Sequence, residues 1–145
     1  MSTPSLLKKI DHLGIAVPNL DAAIALYTTL LGQGPDHRET VAEQKVNAAF
    51  FSVGESNIEL LEPTAPDSPI SKFLDKRGGG IHHLCVEVAD IEACLAHYAA
   101  AGVELIDKTP RQGAHGKRIA FIHPKSTGGV LIELSQKVER AGSTR

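Results

Sequence analysis

Near the start of the chain Leu13, Ile15 and Val17 alternate with His12, Gly14 and Ala16. That two-residue period predicts a strand with one face against a core. From Leu20 the period lengthens. Leu20, Ile24, Tyr27 and Leu31 make an apolar stripe at helical spacing, and Asn19 stands where an N-cap is wanted. The same change of period recurs later: Leu84, Val86 and Val88 alternate with His83, Cys85 and Glu87. Behind Asp90, a second cap, Ile91, Leu95 and Tyr98 form another stripe, and Gly102 is placed to close that helix. Short strand-like runs follow each helix, at 46–53 and 57–61 in the first passage and at 103–106, 117–122 and 130–134 in the second.

The two passages are copies. IDHLGIAVPNLDAAIALYTT (10–29) and IHHLCVEVADIEACLAHYAA (81–100) align at one offset of 71, which pairs Ile10 with Ile81, His12 with His83, Val17 with Val88 and Tyr27 with Tyr98. One register held through a strand and a helix identifies a tandem duplication. The closing runs NIEL and LIEL match at an offset of 74, so the second hairpin loop is three residues longer. The expected fold class is α+β: one domain over 8–136, built from βαβββ modules at 8–63 and 80–136 whose curved mixed sheets surround a cleft. The linker 64–79 holds a short helix at 68–77, with Ile70, Phe73 and Leu74 on one face and three glycines after it. Residues 1–7 and 137–145 read as tails.

Composition narrows the classes of function. A chain of 145 residues that is 42% hydrophobic can build a real core. Fifteen basic against seventeen acidic residues leave no dense basic face for nucleic acid. No apolar run reaches bilayer length, and the lead MSTPSLLKK lacks a signal-peptide core. Cys85 and Cys94 form neither a disulfide framework nor a CxxC pair. The expectation is a soluble cytoplasmic protein without a nucleic-acid or membrane partner.

Strand parity supplies the chemistry. In the closing strands Ile58, Leu60, Ile132 and Leu134 belong to the core side, so Glu59 and Glu133 face the side taken by His12 and His83. Two imidazoles and two carboxylates suit a divalent first-row ion that keeps room for water or substrate. A single strand histidine or glutamate is ordinarily hydrogen-bonded or solvated. Recurrence of the pair in both copies is what favours ligation. His82 reads as structural, on the core side, and His37, His97 and His123 as surface or supporting residues. Cys85 and Cys94 read as small packing residues. The GAHG segment at 113–116 is a turn that could cradle a ligand, and KSTGG at 125–129 is a turn with donors for an anion. There is no Walker loop, no GxGxxG after a strand and no GxSxG elbow.

This tandem βαβββ pattern with its four positions resembles the vicinal oxygen chelate superfamily. Within it, IDHLGIAVPNLDAAIALY, ELLEPTAPDSPISKFL, GGIHHLCVEV, GAHGKRIAFIHP and KSTGGVLIEL resemble the methylmalonyl-CoA epimerases over about 8–136. The resemblance implies an isomerase that interconverts (2R)- and (2S)-methylmalonyl-CoA by C2 proton transfer through a metal-stabilised enolate. It implies metal ligation by His12, Glu59, His83 and Glu133, with Co²⁺ or Mn²⁺ ahead of Zn²⁺, Ni²⁺ or Mg²⁺, and a homodimer. Glu133 is the expected acid/base on one face of C2. Glu59, Glu43 and a metal-bound water are the candidates for the other, with His115 behind them. Some epimerases carry a glutamate where this chain has Ala48, so the second base is open. Glyoxalase I, an iron dioxygenase and a non-catalytic small-molecule binding module of the same fold are the alternatives.

Overall fold

The computed structural model describes residues 6–113 and 116–138. In chain order the elements are β1 (Leu7–Ala16), α1 (Leu20–Leu31), β2 (His37–Val41), β3 (Val46–Val53), β4 (Ser56–Pro63), α2 (Pro69–Arg77), β5 (Gly80–Val88), α3 (Ile91–Ala100), β6 (Arg111–Gln112), β7 (Arg118–Ile122) and β8 (Leu131–Gln136). Each copy is therefore βαβββ, and the α+β class holds. The chain divides into two compact units, one over Asp11–Leu84 and one holding the described residues up to Ile10 and from Cys85 onward.

In the first unit the strand order is β2-β3-β4-β1. The β2–β3 and β3–β4 pairs are antiparallel, while β1 runs parallel to β4 with Gly14 beside Glu59 and Ile15 beside Leu60. One face packs under α1: Val17, Leu20, Ala49, Phe51 and Leu60 form a buried cluster, joined by Ile24, Tyr27 and Leu31 of the helical stripe. The opposite face is covered at one end by α2, where Ala16, Val46, Ala48, Leu61 and Ile70 pack with Phe50, Phe73 and Leu74. This is why Leu60 and its neighbour Leu61 are both buried although they point to opposite sides. Beyond the reach of α2, that second face carries Glu59 and His12.

The helices begin and end where local chemistry dictates. Asn19 caps α1 by accepting from the Ala22 amide, and Gly32 closes it in the left-handed conformation. Ser68, fully buried, accepts from the Ile70 amide to start α2, with Pro69 in the first turn and Gly78 at φ 77° as its cap. The expected linker helix is present. Asp90 caps α3 through the Ala93 amide. A further tie is repeated in both copies. The first helical amide of α1, on Leu20, donates to Glu62 Oε2 at 2.8 Å, and that of α3, on Ile91, donates to Gln136 Oε1 at 2.7 Å. Glu62 and Gln136 correspond at the offset of 74, so each closing strand satisfies an amide at the start of its own copy's helix.

The second unit has the order β5-β8-β7-β6, with antiparallel pairs β6–β7 and β7–β8. Three sequence expectations need correction. Residues 103–106 are not a strand: Leu105 makes one isolated bridge to Ile122, and the Ile106 and Asp107 amides converge on the single Phe121 carbonyl instead of forming a ladder. The helix before them ends at Ala100 with Ala101 as its cap, and Gly102, at φ 84°, follows one position later. On β5 the side opposite the apolar alternation is also covered, since Glu87 is buried along with Val86 and Val88. Glu87 is paired there with Lys8 at 3.5 Å and Lys137 at 3.7 Å.

Candidate metal and acid/base site

Three of the four expected ligands meet inside the first unit. His12 from β1, Glu59 from β4 and His83 from β5 each offer a ligand atom, and these atoms lie within 4.8 Å of one another. Parallel pairing of β1 and β4 sets Gly14 beside Glu59, which brings the carboxylate within 3.3 Å of His12 Nδ1. The two imidazoles meet edge to face, 5.1 Å between centroids, with Nε2 to Nε2 at 3.0 Å. That spacing is about what two nitrogens held ~2.1 Å from one ion at a right angle would have. The donor set fits a divalent cation: two imidazoles and a carboxylate, half-buried and converging from three strands.

His83 leans across β1 at the one residue that lets it. A Cβ at position 14 would stand 2.5 Å from its Nδ1 and 2.7 Å from its Nε2, well inside contact distance. Only glycine leaves that space. Burial, with the neighbouring His12 and His82 rings, pushes the His83 pKa down to about 3. At neutral pH the ring is uncharged, so a cation binding there displaces no proton from it.

Each of the two histidines contacts the residue just before it in the chain. His12 Nδ1 lies 2.8 Å from Asp11 Oδ2, and His83 Nδ1 lies 3.1 Å from His82 Nδ1. A carboxylate only accepts, so the His12 Nδ1 carries the proton and donates it to Asp11. His82 is held in turn by α2, its ring edge-on to Phe73 at 5.1 Å, and burial lowers its pKa. Parity had given Asp11 no role. Adjacent strand residues point to opposite faces, yet the Asp11 carboxylate reaches the ring of its neighbour.

The other expected residues lie on separate elements. Glu133 lies half-buried in β8 of the second unit, opposite Phe121. Glu43 is exposed on the short 3-10 turn Ala42–Gln44 that joins β2 to β3. Ala48 is buried beside Leu61 beneath α2, in apolar surroundings. His37 stacks on Phe50 and pairs with Glu39, and His97 stands in the last turn of α3. His123 accepts from the Lys125 amide to cap the turn that begins the KSTGG segment. Cys85 and Cys94 are buried thiols, as expected of packing residues. His115 lies outside the described residues. No helix among them is long and apolar enough to cross a membrane.

Residues 11–121 match the model of the glyoxalase/bleomycin resistance protein/dioxygenase superfamily. The chain belongs to that superfamily. Inside it, the chain is 43% identical over 130 residues to the mitochondrial methylmalonyl-CoA epimerase of Dictyostelium discoideum, covering 89% of this chain and 78% of that one. The crystal structure of the Mycobacterium tuberculosis methylmalonyl-CoA epimerase superposes with a TM-score of 0.81 at 40% identity, over 99% of this chain and 97% of the other. A variant of the Streptomyces coelicolor methylmalonyl-CoA epimerase in complex with 2-nitronate-propionyl-CoA matches with a TM-score of 0.78 at 40% identity, over 91% and 96%. These relatives are named as epimerases, which are isomerases.

Proposed function

We propose that the protein is a metal-dependent methylmalonyl-CoA epimerase that moves the C2 proton of its thioester substrate from one face to the other. The observation that carries the proposal is the meeting of His12, Glu59 and His83 in a chain whose named relatives epimerise this substrate. The C2 proton is weakly acidic, so catalysis must favour the enolate over the bound thioester. A divalent cation such as Co²⁺ or Mn²⁺, when bound, would supply Lewis-acid stabilisation, each ~1.4 kcal/mol of it worth a tenfold rate gain. His12, His83 and Glu59 would hold that cation. Glu133, the repeat equivalent of Glu59, would complete the set.

Inversion needs an acid/base group on each face of C2. Glu133 would serve one face with the carboxylate oxygen not engaged in ligation. Glu59 is the better candidate for the other, because it is half-buried beside His12 while Glu43 stands exposed on a turn. Ala48 contributes no acid. The names of the relatives favour this thioester chemistry over the hemithioacetal isomerisation of a glyoxalase I. The protein would act as a homodimer, which light scattering on the purified chain would check.

The decisive experiment incubates (2R)- and (2S)-methylmalonyl-CoA in deuterated water with metal-free and Co²⁺-loaded protein. C2 deuteration with the loaded protein only is the expected result. Full exchange by metal-free protein would overturn the metal dependence, and exchange with neither would overturn the epimerase assignment.

A further inference from the structure

We propose that Asp11 and His82 are a repeated pair of positioning residues, each holding the Nδ1 of the histidine that follows it so that the Nε2 atoms of His12 and His83 present their lone pairs to one cation. The inference rests on the metal reading above. The pair is a product of the duplication: Asp11 and His82 match at the same offset of 71 that matches His12 with His83. Both contacts are made, at 2.8 Å and 3.1 Å, and both engage the ring nitrogen turned away from the 3.0 Å Nε2–Nε2 approach. Metal-binding imidazoles commonly donate their other N–H to such a partner, which fixes the tautomer and the ring orientation.

The two partners are chemically different, and so are their roles. Asp11 accepts only, so it locks the proton of His12 on Nδ1 at all times. It lies closer to that nitrogen than Glu59 does, at 2.8 Å against 3.3 Å. His82 can accept or donate. Without a cation, the 3.0 Å Nε2–Nε2 contact requires a proton between the rings, and the locked His12 cannot supply it. His83 therefore carries its proton on Nε2, and His82 donates from Nδ1 to His83 Nδ1. With a cation, His83 must carry its proton on Nδ1, and His82 accepts it there while keeping its own proton on Nε2. Each ring holds one proton in both states, and no net proton is taken up or released. The Phe73 contact and the Arg77 guanidinium beyond it, 5.9 Å from the Phe73 ring, tie His82 to α2 and keep it in place for either role.

The test is a titration of metal-free protein with Co²⁺, followed by its visible absorption. It is paired with thermal unfolding of the metal-free variants and with ¹H–¹⁵N spectra of the imidazole nitrogens. Asp11→Asn, whose amide can turn its NH₂ to the ring and release the lock, should weaken Co²⁺ binding by about 10- to 100-fold. His82→Phe keeps a ring against Phe73 but loses the nitrogen, and should lose affinity to the same extent. His82→Asn loses the ring but offers either an oxygen or an N–H, and should stay near the wild type. A purely structural role for His82 predicts the opposite order, and that order would overturn the proposal. So would wild-type affinity in Asp11→Asn. If the wild type binds no Co²⁺, the metal reading falls, and the metal-free spectrum still decides the tautomer: a His12 proton on Nε2 would overturn the lock.

Discussion

The ring of His83 lies against Gly14, two residues beyond His12 on the same face of β1, with no room for a side chain between them. Replacing Gly14 with alanine must therefore push His83 away from His12 or strain the strand that carries it. We expect Gly14→Ala to bind Co²⁺ at least tenfold more weakly, and to lose about 1–3 kcal/mol of stability, the usual cost of overpacking a tight site. Calorimetric titration and urea unfolding measure the two effects. Wild-type metal affinity in this variant would mean that His83 does not act from the position it holds.

His12→Ala and His83→Ala each remove one of two adjoining nitrogen donors. Either change should abolish stoichiometric metal binding in equilibrium dialysis, and C2 exchange with it. Chelator-treated wild type should be inactive and recover on addition of Co²⁺ or Mn²⁺. A histidine variant that binds no metal yet retains wild-type exchange would separate the cluster from the chemistry.

Glu133→Gln preserves shape and one oxygen donor while removing charge and basicity. If Glu133 is acid/base as well as ligand, exchange should fall by several orders of magnitude at full metal occupancy. The loss should be greater for one epimer than for the other, with Glu59→Gln showing the opposite preference. Rates measured separately from each epimer check this. Equal losses from both epimers would indicate a single mobile base.

The tie between closing strand and helix predicts a stability effect remote from the site. Glu62→Ala leaves the Leu20 amide without its side-chain acceptor and should cost about 1 kcal/mol, the usual scale of a lost helix-start contact. Glu62→Gln reproduces the arrangement that Gln136 makes with Ile91 and should cost less. Urea midpoints rank the three proteins, and equal midpoints for all of them would deny the tie any energetic weight.

The legible parts of this fold are those written in period and repetition. The helical stripe of Leu20, Ile24, Tyr27 and Leu31 packs as its spacing implies, and Asn19 and Asp90 cap the helices they precede. The meeting of His12, Glu59 and His83 followed from strand parity. Strand β2 was not legible, because HRETV has no apolar face and is stabilised by its ladder to β3 rather than by burial. The burial of Leu61 and Ala48 was hidden for a different reason: parity assigns them to the open side, and only the docking of α2 closes it. Asp11 was missed because neighbours on a strand are assumed to diverge.

Gly14 and Cys85 occupy matching positions in the two copies, and the ring of His83 makes them unequal. The halves have thus lost interchangeability, and in one direction only at this position. A synthetic gene joining two first halves would keep glycine under the histidine. One joining two second halves would set a cysteine there and collide with it. Whatever identical pair the duplication began from, drift toward a bulkier residue was open to the second half and closed to the first.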